Sequence, residues 1–199
     1  MLKLTKGHSV SKPELLEEGY MLSSDVSIIA NVGADKIKDV LQHFIVMHEE
    51  PMFFILELPV TCDKEEEVAP GVLRDTHKDV YYIDGCSQEE CLVLLERYGE
   101  LLINDGISYF GFGGHESQDE IMVGHYNMLT IYSHKPDKFE GFYEMHEIVK
   151  KDNLVTAYDT FSKDTPGQSL RYEINGKTVF DIPEELIDWN IYLAETRVE

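Results

Sequence analysis

The segment from Met52 to Val60 constrains the fold most, because its sequence, MFFILELPV, is apolar at nearly every position. A strand with one face in water alternates apolar and polar residues, whereas a strand covered on both faces is apolar throughout. The segment is also far shorter than the roughly 20 residues of a membrane-spanning helix. It therefore predicts a central strand of a sheet that is covered on both sides.

Two longer segments have the apolar spacing of amphipathic helices. Residues 87–104 begin with a capping box of Ser87 and Glu90, carry one apolar stripe, and end at an Asn-Asp-Gly stop signal. Residues 34–50 show the same spacing and end before Pro51. The complete set of predicted helices is residues 11–19, 34–50, 87–104, 136–151 and 183–189.

The remaining apolar segments are strand-like, and those in the second half have short connections, which favour antiparallel pairing. We therefore predict a single α+β domain, residues 1–199, with a mostly antiparallel sheet and about four to five helices packed mainly on one face. It comprises an α-β-α-β part (1–60), an acidic loop (61–79) and a mixed part (80–199). The predicted strands are residues 26–32, 52–60, 80–83, 107–112, 121–132, 154–161 and 191–196, with a hairpin over 170–182.

The charge balance decides which partners are compatible with this fold. The 199 residues include 17 Lys and Arg against 38 Asp and Glu, a formal net charge of −21. Such a surface repels nucleic acid and anionic lipid, and it attracts basic proteins. The hydrophobic content of 43% nevertheless predicts a folded chain rather than a disordered one.

Targeting signals and cysteines point to a reduced cytoplasmic setting. The first residues, MLKLTKGH, have no apolar run of the kind that signal peptides carry. Cys62, Cys86 and Cys91 are odd in number and form no C-x-x-C pair. Cys91 lies on the apolar stripe of its helix and is interpreted as a buried, inert thiol. Cys86 precedes the helix start, but acidic neighbours oppose its activation as a nucleophile.

The segment from Phe110 to Glu116, FGFGGHE, is the one that most resembles a site. It lacks the lysine of a P-loop and the spacing of a dinucleotide-binding loop, so we predict no cofactor. The favoured interpretation is a glycine-rich end of a strand with its aromatic rings packed beneath it. A local interface role is the second interpretation.

Histidines and carboxylates in the second half allow a metal site as an alternative. The candidate ligands are His115, His125 and His146, and a catalytic zinc needs three protein ligands and an open position. Their spacing matches no compact metal motif. The corresponding function is a small metal-dependent hydrolase.

Two polar features interrupt apolar strands. His125 and Asn127 indicate either a pocket floor or, as favoured here, a turn that divides residues 121–132 into two strands. Glu57 lies among apolar residues, where a carboxylate needs a paired cation or has the raised pKa of a general acid. The favoured interpretation is that Glu57 reaches solvent near the end of its strand.

Three stretches, YFGFGGH at 109–115, DEI at 119–121 and TAYDTF at 156–161, resemble stretches of uncharacterised acidic bacterial cytosolic proteins. Some proteins of that type are toxin immunity proteins, although this chain lacks the leucine-proline motif found before the sheet in their commonest superfamily. The resemblance implies a protein that neutralises a toxin, and it carries over no binding residue.

We therefore expect a non-enzymatic binding protein with a basic protein partner. A structural subunit of unknown role is a further alternative. Acidic side chains steer a basic partner during association. The predicted contact residues are Asp63, Glu65, Glu66, Glu67, Glu116, Asp119 and Glu120.

Overall fold

An eight-stranded antiparallel sheet is the main element of the fold. The computed structural model describes residues 1–60, 66–69, 72–74 and 77–198, and the side chains of these residues outside 66–74. Its strands are β1 (His8–Ser9), β2 (Gly19–Ser24), β3 (Ser27–Asn31), β4 (Met52–Val60), β5 (Glu66–Ala69), β6 (Val72–Arg74), β7 (His77–Cys86), β8 (Tyr109–Gly114), β9 (Asp119–Val123), β10 (Met128–Tyr132), β11 (Gln168–Ser169) and β12 (Tyr192–Val198).

The strand order in the sheet is β12-β7-β4-β8-β9-β10-β3-β2. The apolar strand β4 lies inside the sheet, between β7 and β8, as its sequence predicts. Two small two-stranded sheets are separate from the main one, namely β1 with β11 and β5 with β6. The α+β class and the antiparallel pairing are therefore confirmed.

The α-helices of the described chain are α1 (Ile37–Met47), α2 (Gln88–Asn104) and the single-turn α3 (Ile182–Glu185). Ser87 is the N-cap of α2, and its side chain and that of Glu90 form the predicted capping box. Short 3-10 helices take the place of the other predicted helices, so the α-helices are fewer than the predicted four to five. The 3-10 helices are Pro13–Leu15, His125–Asn127, Pro136–Phe139, Glu144–His146, Ala157–Thr160, Val179–Asp181 and Ile187–Trp189.

The sheet has two distinct faces. The first face carries Phe54, Phe110 and Phe112, which are fully buried and share one core with the apolar residues of α1 and α2. The second face carries a smaller cluster in which Ile55, Val80 and Met122 are buried. Because successive side chains of a strand point to opposite faces, the residues of the second face are not those that form the main core.

The prediction of a helix over 136–151 is wrong. Gly141 and Glu147 adopt positive φ angles of 80° and 61°, and a right-handed helix excludes that conformation. Two 3-10 turns form in its place, around Pro136–Phe139 and Glu144–His146. Phe139 and Tyr143 still pack into the core, so the apolar spacing correctly indicates that these two side chains are buried, although the backbone is not an α-helix.

Other predicted elements also differ. Residues 157–160 form a 3-10 helix instead of a strand, since Thr156 and Asp159 form a capping box. The hairpin over 170–182 is reduced to one bridge between Ile174 and Lys177. The first 60 residues contain the hairpin β2–β3 before α1, so they do not follow the α-β-α-β order.

The predicted acidic loop 61–79 contains regular structure. Strands β5 and β6 pair antiparallel, and β7 already begins at His77. Glu66 and Glu67 lie on β5, whereas Asp63 and Glu65 lie outside the described residues.

The favoured turn within residues 121–132 is confirmed. Tyr126 and Asn127 have φ angles of 56° and 63°, and this left-handed turn separates β9 from β10. The side chain of Asn127 is buried and makes three hydrogen bonds. It accepts from the backbone nitrogen of Thr5 at 3.0 Å and donates to the carbonyl oxygens of Lys3 and Val32 at 3.0 and 2.8 Å. Asn127 therefore ties the N-terminal segment to the sheet.

Among the helices that the structure describes, none is long and apolar enough to cross a membrane.

Candidate functional site

A groove with a volume of 580 Å³ lies on the second face of the sheet. Strands β4, β7, β8, β9, β10 and β12 all contribute to its lining, so residues distant in sequence meet there. The lining combines aromatic, thioether and charged side chains. The lining residues used below are Glu57, Lys78, Tyr82, Tyr109, Glu120, Met122, Tyr132 and Arg197.

Two glycines of β8 allow neighbouring groups to pack closely on the second face. Gly111 and Gly113 occupy the middle of two cross-strand rows. A Cβ atom on Gly113 would lie 2.1 Å from the ring of Phe53, and one on Gly111 would lie 2.2 Å from the carbonyl oxygen of Ile121. The absence of side chains at these two positions lets neighbouring groups lie directly on the strand.

The interpretation of this segment as a glycine-rich strand is confirmed. Phe110 and Phe112, which alternate with the glycines, point to the first face and are fully buried in the core. The segment therefore has one large apolar face, and on the other face Phe53 and Met122 pack directly against its two glycines.

At one end of the groove Glu57 is ion-paired. Its carboxylate accepts from Lys78 Nζ at 3.5 Å and from Arg197 Nη2 at 2.5 Å, and its side chain is only 12% exposed. The prediction that Glu57 reaches solvent is therefore wrong. The ammonium of Lys78 also lies 3.6 Å from the centre of the Tyr109 ring, a favourable cation–π position.

Glu120 occupies a different electrostatic setting within the same groove. It lies opposite Tyr132 on the neighbouring strand β10, and it is half-buried. No hydrogen bond or ion pair of its carboxylate is found among the described residues. Burial raises the pKa of Glu120, the negative charge of Glu57 raises it further, and the positive charge of Arg197 opposes the rise only in part.

Two tyrosines share the groove with Glu120. Tyr132 lies directly opposite Glu120 on β10, and Tyr82 lines the groove from β7. Burial raises the pKa of Tyr82 and Tyr132, and the carboxylate of Glu120 is the next largest cause for both phenols. A carboxylate in a groove lined by aromatic rings matches the requirements of an ammonium or guanidinium group.

Asp119, which was predicted as a surface contact, is buried instead. Only 2% of its side chain is exposed, and its carboxylate interacts with His48 Nε2 at 3.1 Å and with the ammonium of Lys138. His48 is held in turn by the carbonyl oxygen of Phe44, 2.7 Å from its Nδ1. Asp119 therefore acts inside the fold, and its burial removes it from the predicted contact surface.

The other predicted residues are distributed over the molecule. Glu116 is exposed on the turn between β8 and β9. His115 lies 3.2 Å from Asp84, and His125 lies 3.3 Å from the hydroxyl of Tyr109. His146 contacts His43 at 3.0 Å. Within the described ranges, no group of three or more His, Cys, Asp or Glu side chains is arranged to hold a metal ion.

Sequence reasoning missed the residues that surround Glu120. Tyr82 and Lys78 alternate with core residues on β7, but the predicted strand began only at Val80. Lys78, Val80 and Tyr82 are two positions apart, so a strand that begins at His77 places all three side chains on one face. Arg197 lies near the end of the chain, and its position beside Glu57 follows only from the pairing of β12 with β7.

Comparison of this chain with protein-family models, with curated proteins and with solved structures finds no match.

Proposed function

We propose that this protein is a non-enzymatic, cytoplasmic binding protein that neutralises or regulates a basic protein partner, as toxin immunity proteins do. The observation that carries the proposal is the partly buried Glu120 in the groove of the second face, with Tyr132 opposite it on β10 and Tyr82 also in the lining. In this account the groove receives a lysine or arginine side chain of the partner.

The energetics favour a cationic ligand at this position. A partly buried carboxylate loses hydration, which is why burial raises the pKa of Glu120. Within the described chain its carboxylate has no ion pair, and the positive charge of Arg197 offsets the rise in pKa only in part. An incoming guanidinium would supply charge-assisted hydrogen bonds, and the aromatic lining of the groove would contact its flat faces.

The lining also has the composition of a protein-binding surface. Tyrosine and methionine are enriched at interfaces, because they provide large contact areas and adapt to the shape of a partner. The groove contains both types, with Tyr82 and Tyr132 beside Met122 and Met128.

The charge of the whole chain supports the same class of partner. A net charge of −21 accelerates association with a basic protein and opposes binding of anionic ligands. Glu116 is exposed close to β9, and Glu66 and Glu67 lie on β5. These carboxylates, with Asp63 and Glu65, are proposed to steer the partner, whereas Glu120 makes the close contact.

Glu120→Gln tests the close contact. We expect it to weaken binding of a short acetylated, amidated Gly-Gly-Arg-Gly-Gly peptide by about tenfold, since a charge-assisted hydrogen bond is worth roughly 1.5 kcal/mol or more. Binding is measured by NMR titration of the labelled protein. A peptide with citrulline in place of arginine keeps the shape of the side chain and removes its charge. It should therefore bind to the native protein as weakly as the arginine peptide binds to Glu120→Gln.

Glu184→Gln is the matched control, because Glu184 is an exposed carboxylate on α3, outside the groove lining. It removes the same charge and should leave peptide affinity nearly unchanged. Equal affinities for the native protein and Glu120→Gln would contradict the proposed site. Equal losses in the two variants would attribute binding to net charge alone.

A further inference from the structure

Two buried cysteines meet where β7 ends and α2 begins. Cys86 is the last residue of β7, and Cys91 lies in the first turn of α2. Relative to the N-cap Ser87, they occupy N′ and N4, the two positions whose side chains pack together in a hydrophobic staple. Both thiols are free and belong to the main core cluster, and the thiol of Cys86 donates to the carbonyl oxygen of Ile83 at 3.5 Å.

The chain between the two cysteines is held in place by the capping box. The backbone nitrogen of Ser87 donates to Glu90 Oε2 at 2.8 Å, and the backbone nitrogen of Glu90 donates to Ser87 Oγ at 3.2 Å. The first backbone hydrogen bond of the helix, from Cys91 to the carbonyl oxygen of Ser87, adds a third restraint. These bonds hold the backbone between the two cysteines in one conformation, with Cys86 and Cys91 at the two staple positions.

The two thiols are not equivalent. Cys86 borders a cavity, whereas Cys91 is completely buried. The interaction with Cys91 lowers the pKa of Cys86, while burial and the carboxylates of Glu90 and Asp84 act against this effect. The interaction with Cys86 and burial raise the pKa of Cys91. The accessible position of Cys86, in agreement with these directions, makes it the sulfur that reacts first as a thiolate.

A cavity gives small molecules a route to Cys86. It has a volume of 350 Å³, and Cys86 lines it together with Gly85, Asp188 and Trp189. Gly85 has a φ angle of 74°, and nothing lies within 4 Å of the position that its Cβ would occupy. Cys91 is completely buried and does not line this cavity, so an oxidant that enters it reaches Cys86 first.

We infer that Cys86 and Cys91 form an oxidisable dithiol, a modification site whose reactant is hydrogen peroxide and whose product is an intramolecular disulfide. In the first step the Cys86 thiolate attacks the peroxide, the O–O bond breaks, and one water leaves after protonation. Cys86 is then a sulfenic acid. In the second step the sulfur of Cys91 loses its proton and attacks Cys86, the S–S bond forms, the S–O bond breaks, and a second water leaves. Two thiols are oxidised by two electrons, and one hydrogen peroxide is reduced to two waters.

The test uses the full chain with Cys62→Ser, so that Cys86 and Cys91 are the remaining cysteines. After treatment with hydrogen peroxide, the intact mass should fall by about 2 Da, the mass of two hydrogen atoms, and reduction should restore it. Digestion with a protease that cuts after glutamate separates Cys86 from Cys91 at Glu89 and Glu90. The two resulting peptides should stay joined only in the oxidised sample.

Single variants establish the order of the two steps. In Cys91→Ala, Cys86 should accumulate as a sulfenic acid that dimedone traps, whereas in Cys86→Ala the thiol of Cys91 should remain unmodified. Circular dichroism checks that both variants fold. Formation of sulfinic acid on Cys86 without cross-linked peptides, or no change in mass, would overturn the inference. That result needs only the Cys62→Ser protein, so it does not depend on the folding of the single variants.

Discussion

Asp119→Ala is expected to lower the free energy of unfolding by about 3–5 kcal/mol, the usual loss when one partner of a buried ion pair is removed. The carboxylate lies inside the fold, where it interacts with His48 Nε2 at 3.1 Å and with the ammonium of Lys138. Alanine would leave a buried imidazole and a partly buried ammonium without their anion. Equilibrium unfolding in guanidinium chloride, followed by circular dichroism, measures the loss.

Proton placement explains why this network is sensitive to substitution. A carbonyl oxygen can only accept, so the contact between His48 Nδ1 and the oxygen of Phe44 requires the proton on Nδ1. The contact between Nε2 and the carboxylate of Asp119 then requires one further proton between them. Asp119→Asn supplies an amide that can donate to a neutral Nε2, so it should be less destabilising than Asp119→Ala.

Glu116→Ala is the control for Asp119, since it removes an exposed carboxylate from the preceding turn. We expect it to change stability by no more than about 0.5 kcal/mol, as is usual for surface positions. If Asp119→Ala were no more destabilising than Glu116→Ala, the buried network would contribute little to the fold.

Asn127→Ala is expected to lower the free energy of unfolding by about 3 kcal/mol. The substitution removes three hydrogen bonds, to Thr5, Lys3 and Val32, and leaves buried backbone groups unpaired. Alanine is also disfavoured at the φ angle of 63° that Asn127 adopts. The same unfolding measurement tests this expectation.

Asn127→Gly separates the two causes. Glycine accepts the positive φ angle without strain but supplies none of the hydrogen bonds. We expect it to retain most of the destabilisation, because the unpaired backbone groups remain. A glycine variant as stable as the native protein would show that backbone conformation, and not the side-chain bonds, accounts for the role of Asn127.

The parts of the fold that could be predicted depend on signals between near neighbours. The capping box of Ser87 and Glu90 identified the start of α2, and the apolar run of Met52–Val60 identified β4 as an interior strand. In both cases the residues that indicate the element, a capping pair and an apolar run, lie within or directly beside that element. Local chemistry and tertiary packing agree there, so the sequence was sufficient.

The failures occurred where a local backbone preference acted against an apolar pattern. The aromatic spacing of 136–151 favours a helix, but positive φ angles at Gly141 and Glu147 interrupt it. At 157–160 the capping box of Thr156 and Asp159 was overlooked, and it produces a 3-10 turn where the apolar residues had favoured a strand. In both segments the predicted secondary structure is wrong, although Phe139 and Tyr143 of the first segment are buried as their spacing predicts.

The candidate site was predictable only in part. The negative charge of Glu120 is evident from the sequence, but its place in a groove with Tyr82 and Tyr132 depends on the pairing of strands distant in sequence. Asp119 carries the same charge, although it is the preceding residue of the strand and points to the opposite face. A shift of one residue therefore separates a carboxylate in the groove from one in the core.

The most direct test of the groove is the pKa of Glu120, measured by NMR of its side-chain carboxyl carbon and assigned with the Glu120→Gln variant. In the free protein the pKa should lie above the ordinary value of 4.5, because the carboxylate is partly buried and faces Glu57. Saturation with the arginine peptide should lower this pKa, since a bound cation favours the charged form. Binding should correspondingly strengthen as the pH rises through the pKa of Glu120. A pKa at or below 4.5 in the free protein, or one unchanged by bound peptide, would contradict the proposed role of Glu120.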